Sequence, residues 1–129
     1  ELEEYSKRLG LDENVKFLGR REDMPNIMNG LDVLVLTSES EAFPGVIIEA
    51  MLSGKSVIAT KCGGAEDIVV DKETGFLVEI GDSDAIAEKV SYLLHNEKKA
   101  KEMGQKGKER AIEMFDIKNI VNKYEDFLK

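Results

Sequence analysis

The 129-residue sequence is poor in several residue types, and each scarcity excludes a class of protein. Cys62 is the only cysteine, so no intrachain disulfide can form and no second cysteine is available for a metal cluster or a redox pair. No apolar run approaches the ~20 residues that cross a bilayer, and the acidic start is unlike a basic secretory leader. These features predict a cytoplasmic location, no metal site and no transmembrane segment.

An excess of positive charge is also lacking. The sequence has 18 Lys and Arg against 26 Asp and Glu, which gives a formal net charge of −8. Because this charge repels a phosphate backbone, nucleic acid is not an expected partner. The acidic residues alternate with lysines along apparent helices, which is typical of a solvated surface. An apolar content of 42% is ample for one core, so residues 1–129 are expected to form a single domain.

Short apolar runs alternate with amphipathic stretches along the chain. Strands are predicted over residues 15–18, 32–36, 56–60, 68–70 and 75–78. Helices are predicted over residues 2–9, 46–53, 83–96, 97–114 and 117–128, and a further short helix, which contains Ile27 and Met28, follows the loop with Pro25. The run from 32 to 36 is almost entirely apolar and is expected to be buried on both faces. This alternation predicts an α/β fold, a Rossmann-like parallel sheet with helices on both faces and further helices at the C-terminus.

Glycine and cap residues mark the expected ends of these helices. Gly10 and Gly54 are predicted to close the helices that precede them, and Ser83 is a candidate N-cap. Gly104 and Gly107 are expected to weaken the helix over 97–114, because glycine has a low helix propensity.

The loops that follow the predicted strands are where a ligand is expected. Ligands of parallel sheets bind beyond the carboxyl ends of the strands. Here these loops begin at Gly19, Thr37 and Lys61, and the last contains the pair Gly63-Gly64, which predicts a flexible turn. Any chemistry is therefore expected in these three loops.

The second of these loops combines three features that suit a sugar nucleotide. Glu41 is expected between a strand and a helix, where its carboxylate can accept hydrogen bonds from sugar hydroxyls. The helix that starts near Pro44 directs free amides and a positive dipole end toward the loop, which favours a diphosphate. Because proline lacks an amide hydrogen, the donors would be Gly45 and Val46. Glu49 lies about 6 Å further along the axis, within reach of a ribose.

Each carboxylate taken alone has a simpler interpretation. Glu41 would be a solvated loop residue, and Glu49 an exposed helix residue. However, Glu49 is flanked by apolar residues on a helix that is expected to be largely buried, where an ionised group is costly without a partner. The hypothesis is that a bound ligand provides this partner.

The same residues resemble a known family. Glu41 and Glu49, with seven residues between them, are similar to the paired glutamates in the signature of retaining GT-B glycosyltransferases of family 4. Segments 15–19, 31–38, 41–51 and 54–64 resemble, in order, the strand before the base-binding loop, the central strand, the donor loop with its helix, and the next strand with its glycine turn. The resemblance implies the C-terminal, donor-binding half of a GT-B enzyme.

The resemblance also implies a role for each matching position. Glu41 would be the catalytic residue and hold hydroxyls of the transferred hexose, the helix amides would hold the diphosphate, and Glu49 would hold the ribose. The backbone around Arg20 would contact the base. The implied donor-binding residues are Arg20, Ala42, Phe43, Gly45, Val46 and Glu49. The donor substrate would be a UDP- or GDP-linked sugar, with no separate cofactor.

Some parts of the family pattern differ or are missing. Ser56 stands in place of a proline, Glu66-Asp67 in place of Pro-Glu, and Ala42 in place of a glycine, so changes in loop conformation and donor preference are expected. The family's Arg and Lys that neutralise the departing diphosphate, and its N-terminal acceptor domain, lie upstream of these segments. The chain alone is therefore expected to be inactive, and peripheral membrane association through the absent domain stays open.

Several alternatives accompany this hypothesis. A sugar-nucleotide epimerase half would share the GT-B architecture, and a non-catalytic flavodoxin-like interaction module would share the fold. His95, the only histidine, is expected to cap a helix end or lie on the surface, and Cys62 to be buried without a chemical role. The pair Arg20-Arg21 could clamp a phosphate, but two loop arginines are more often solvated.

Overall fold

A computed structural model of the protein describes residues 1–115. Helices and strands alternate along this part of the chain. The elements are α1 (Leu2–Arg8), α2 (Met24–Gly30), β1 (Val33–Leu36), α3 (Gly45–Leu52), β2 (Ser56–Thr60), α4 (Gly64–Ile68), β3 (Gly75–Val78), α5 (Ser83–His95) and α6 (Glu97–Phe115). The helix predicted over 117–128 lies outside the described residues.

Strand β2 is the centre of a parallel sheet with the order β1-β2-β3. All its residues are buried, and successive side chains alternate between two apolar clusters because strand side chains point to opposite faces. Val57 and Ala59 belong to the first cluster with α3, and Ile58 belongs to the second with α5. Helix α6 contributes Ala111 to the first and Met103 to the second. The predicted parallel α/β fold with helices on both faces is confirmed.

Strand β1 is less buried than the sequence predicted. It lies at one edge of the described sheet, and its residue Val35 is 38% exposed. The expectation that this apolar run is buried on both faces is therefore wrong, because the described chain leaves the face that carries Val35 partly open. The strand with two covered faces is β2.

Two predicted strands are absent from the described part of the chain. Residues 15–18 form no strand, and Val15, Phe17 and Leu18 are exposed, because no described strand lies beside them to share backbone hydrogen bonds. In the segment 68–70, helix α4 continues through Ile68, its C-cap Val69 is extended, and neither Val69 nor Val70 belongs to a strand. A short apolar run does not distinguish helix from strand by its period.

Contacts from α6 stabilise the C-terminal end of α4. Arg110 of α6 donates hydrogen bonds from Nε to the carbonyl of Ile68 at 2.7 Å and from Nη2 to that of Asp67 at 3.1 Å. These carbonyls belong to the last turn of α4, where backbone acceptors lack intrahelical partners. A residue distant in sequence therefore stabilises the end of this helix.

The predicted helix ends are confirmed except for one cap. Gly10 and Gly54 have φ values of 72° and 73° and follow the ends of α1 and α3. This left-handed conformation favours glycine. The N-cap of α5 is Asp82 and not Ser83, since a carboxylate oxygen of Asp82 accepts a hydrogen bond from the amide of Ala85 at 3.0 Å.

Gly104 has a packing role that its low helix propensity did not predict. It lies where α6 crosses the backbone after α3, and a Cβ atom at this position would overlap the carbonyl oxygen of Gly54. At Gly107 an added Cβ would lie 3.5 Å from the carbonyl oxygen of Thr74, an ordinary contact. Both glycines are buried, but only Gly104 is required by a close backbone approach.

We expect Gly104→Ala to lower the free energy of unfolding by about 1–3 kcal/mol, because the backbone of Gly54 has to move away from the added methyl group. Gly107→Ala is the matched control in the same helix and is expected to change stability by less than about 1 kcal/mol. Urea unfolding of both variants measures the difference. Equal losses in the two variants would contradict the close approach at Gly104.

Candidate functional site

The loops after β1 and β2 meet at the carboxyl edge of the sheet. The amide of Glu41 donates to the carbonyl of Cys62 at 2.9 Å, and the amide of Gly64 donates to the carbonyl of Glu41 at 2.7 Å. The hydroxyl of Thr60, the last residue of β2, donates to the carbonyl of Ser38 at 2.5 Å. These bonds extend the pairing of the two strands into their loops, with Glu41 and Gly63 forming an isolated parallel bridge. The backbone of Glu41 is therefore held at the sheet edge.

Gly64 allows this contact because it has no side chain. A Cβ atom there would lie 2.6 Å from the carbonyl oxygens of both Glu41 and Ala42, and 2.7 Å from Cδ of Pro44. The preceding Gly63 has a φ of 98°, which L side chains rarely adopt. The sequence predicts a flexible turn at this pair but does not predict the close approach. A double glycine directly after a buried strand is the signal that could have indicated a close backbone approach.

Helix α3 begins directly after this contact. Its N-cap is Pro44, whose carbonyl accepts a hydrogen bond from the amide of Ile47 at 3.0 Å. The amide of Gly45 donates to the carbonyl of Phe43 at 3.0 Å, so the prediction that this amide is free is wrong. Within the described chain, the amide of Val46 makes no hydrogen bond. One unengaged amide, together with the positive end of the helix dipole, therefore lies at the start of α3.

The two carboxylates lie in different environments. Glu41 is half-buried in its loop, whereas Glu49 is exposed, although the residues on either side of it in α3 are buried. The prediction that Glu49 occupies a buried position is wrong, because the helix turns this side chain to its open face. Among residues 1–115, neither carboxylate has a hydrogen-bonding or ionic side-chain partner. Both are available to a ligand.

Glu49 borders a cavity of about 330 Å³ between α2 and α3. The other lining residues are Met24, Pro25, Met28, Leu52 and Ser53. This lining is largely apolar, and among the described residues that form it Glu49 is the one ionisable side chain. The cavity therefore offers an apolar surface beside a carboxylate.

The loop before α2 contains the two arginines considered as a phosphate clamp. Arg21 donates from Nε and Nη2 to the two carboxylate oxygens of Asp23, at 2.8 and 2.7 Å. The side-chain hydrogen bond from Arg21 lowers the pKa of Asp23, and the same bond raises the pKa of Arg21. Arg20 is exposed, and its side chain makes no hydrogen bond or ion pair within the described range. Only Arg20 is thus available to a ligand.

Ala42 and Phe43 are exposed at the tip of the loop between Glu41 and the buried Pro44. The fold brings Glu41, this tip and the start of α3 together. No side-chain hydrogen bond or ion pair joins Arg20 or Glu49 to that group within residues 1–115.

The remaining candidate residues, His95 and Cys62, make contacts within the fold. His95 lies in the last turn of α5, where its Nδ1 is 2.8 Å from the carbonyl oxygen of Ser91. Cys62 is buried in the first apolar cluster, as predicted. Within the described range, no three His, Cys, Asp or Glu side chains are grouped to hold a metal ion. None of the helices in that range is long and apolar enough to cross a membrane.

A parallel sheet with a helix N-terminus and carboxylates at its carboxyl edge is typical of Rossmann-like nucleotide-binding domains. The comparison with protein families is more specific. The chain belongs to the family of glycosyl transferases group 1, whose model matches residues 1–110. The family resemblance inferred from Glu41 and Glu49 is confirmed at this level.

Relatives with known names are also similar to the chain. N-acetyl-alpha-D-glucosaminyl L-malate synthase of Bacillus anthracis is 34% identical over 119 residues, which are 92% of this chain and 31% of that protein. Crystal structures of Anabaena Alr3699/HepE in complex with UDP and with UDP-glucose superpose with TM-scores of 0.95 and 0.93. In both, the identity is 36%, and the match covers 98% of this chain and 35% of that one. The chain thus spans about a third of the length of these relatives.

We expect Gly64→Ala to displace the Glu41 loop and to lower the free energy of unfolding by about 1–3 kcal/mol, because three neighbouring atoms would lie within 2.7 Å of the new Cβ. Amide chemical shifts of Glu41 and Ala42, together with urea unfolding, measure both effects. Gly30→Ala is the control, since a Cβ at that helical glycine has open space. Unchanged loop resonances in Gly64→Ala would contradict the proposed contact.

Proposed function

We propose that the chain binds a nucleoside-diphosphate sugar at the carboxyl edge of its sheet, as the donor-binding half of a retaining hexosyltransferase. The main support is that the Glu41–Gly64 contact fixes the backbone of Glu41 at this edge, four residues before the start of α3. This arrangement puts an acceptor for hydroxyls beside a donor for phosphate oxygens. The complexes of Anabaena Alr3699/HepE with UDP and UDP-glucose are consistent with this ligand class.

The diphosphate would bind at the start of α3. The amide of Val46 is unengaged within the described chain and lies at the positive end of the helix dipole, which stabilises anions. The amide of Gly45 would first have to exchange the carbonyl of Phe43 for a phosphate oxygen. The diphosphate is therefore assigned mainly to the amide of Val46, and the bond between Gly45 and Phe43 can stay in place.

The nucleoside would lie along α3 toward α2. Glu49 is exposed and without a side-chain partner in the described region, so its carboxylate can accept hydrogen bonds from both ribose hydroxyls. The apolar lining beside it, which includes Met24 and Pro25, suits the face of a planar base. The backbone around Arg20 would contact the edge of that base. UDP is the first nucleotide to test for binding, and GDP is the second.

Glu41 would hold the hexose, with the amides of Ala42 and Phe43 beside it. Because a half-buried carboxylate with a fixed backbone is preorganised, it can orient the sugar for attack by the acceptor. The departing diphosphate develops negative charge, which the start of α3 would stabilise together with basic residues from outside this chain. The acceptor domain would also come from outside, and transfer would retain the anomeric configuration.

The two carboxylates should respond differently to substitution. We expect Glu49→Gln to weaken binding of UDP and of UDP-glucose alike, by about tenfold to a hundredfold, because the ribose is common to both ligands. Glu41→Gln should weaken only UDP-glucose, since UDP has no hexose. Isothermal titration calorimetry measures both affinities.

Glu102→Gln, an exposed carboxylate on α6, is the charge-matched control for these titrations and should leave both affinities unchanged. In nitrogen-15 spectra of the unsubstituted chain, UDP should also shift the amide resonance of Val46. Equal effects of the Glu41 and Glu49 variants on UDP would show that the assigned roles are wrong.

The 129-residue chain is expected to bind UDP-glucose without turning it over, because the acceptor site and the basic residues for the diphosphate are proposed to lie outside it. Release of UDP from UDP-glucose, followed by chromatography, tests this. Release well above spontaneous hydrolysis would refute the need for further residues. Formation of an epimerised nucleotide sugar without any acceptor would instead support the epimerase alternative.

A further inference from the structure

The side chain of Phe43 contacts the end of helix α6. Its ring is 63% exposed, and its centroid lies 6.2 Å from that of Phe115, with the ring planes at 80°. This edge-to-face arrangement is the geometry in which aromatic pairs attract each other. Phe115 is half-buried and packs against the first apolar cluster. The pair therefore joins the exposed loop tip to the core.

The two residues of the tip, Ala42 and Phe43, are not fixed by burial. On one side, hydrogen bonds to Cys62 and Gly64 hold the backbone of Glu41, and on the other side Pro44 is buried. Between them, Ala42 and Phe43 are both exposed. Within the described residues, this segment is held by the bond from the amide of Gly45 to the carbonyl of Phe43 and by the contact between the rings of Phe43 and Phe115.

We propose that Phe115 is a positioning residue for the donor hexose. Its ring holds Phe43, and thereby the amides of Ala42 and Phe43, in the orientation that receives the sugar. This inference rests on the proposed function, in which these amides and Glu41 contact the hexose. The diphosphate and the ribose are assigned to other groups, on α3, so Phe115 should influence binding of the sugar and not of the nucleotide.

The first test replaces the ring and keeps an apolar side chain. Phe115→Leu should weaken UDP-glucose binding by about twofold to tenfold, the worth of an aromatic pair, and leave UDP binding unchanged. Phe115→Tyr, which keeps the ring, should bind both ligands as the unsubstituted chain does. Ile112→Ala is the control on the same helix, because Ile112 is 47% exposed and should affect neither ligand. Calorimetric titration and urea unfolding are measured on each variant.

A double-mutant cycle separates the proposed contact from a general loss of packing. Phe43→Leu alone should reproduce the selective loss of UDP-glucose affinity, and adding Phe115→Leu should cause no further loss, because both changes remove one contact. Additive losses, or an equal loss of UDP affinity, would overturn the positioning role. If the unsubstituted chain binds neither ligand, the proposed function itself is wrong. Normal binding of both ligands by Phe115→Leu refutes only this inference.

Discussion

The close backbone contact between the Glu41 loop and the Gly64 turn is the constraint on which the candidate site depends. Two hydrogen bonds, at 2.9 and 2.7 Å, continue the parallel pairing of β1 and β2 beyond the strands. The contact is possible only because position 64 has no side chain, since a Cβ would lie 2.6 Å from two carbonyl oxygens. Helix α3 starts shortly after this point, so the contact also determines where its free amide lies.

Helix α6 supports the candidate site through contacts at several points along its length. It contributes to both apolar clusters, approaches the backbone of Gly54 at Gly104, and binds the end of α4 through Arg110. Its last described residue, Phe115, contacts the loop tip itself. The glycines of α6 reduce its helix propensity, but Gly104 permits the close packing that brings the helix to these positions. Gly104 thus lowers the intrinsic stability of the helix and allows its close packing against the backbone of Gly54.

Patterns within short segments predicted much of the fold. The strands over 33–36, 56–60 and 75–78 and the helices α1, α2, α3, α5 and α6 agree with the hydrophobic spacing and with the glycines after α1 and α3. The pattern was wrong at 15–18 and 68–70, where an apolar run alone does not specify its partner. Residues 15–18 have no strand beside them in the described chain. In the second run, Ile68 is the last residue of helix α4, and Arg110 stabilises this end of the helix.

Some features of the candidate site could likewise be predicted from the sequence, and others could not. The sequence by itself determined the order of Glu41, the helix start and Glu49, and with it the family, because these features lie within one short segment. Only the tertiary structure decided that Glu49 is exposed, that the amide of Gly45 is engaged by Phe43, and that Gly64 and Phe115 contact the loop. Periodicity and propensity act between near neighbours, whereas burial and packing depend on residues that the folded sheet brings together from distant parts of the chain.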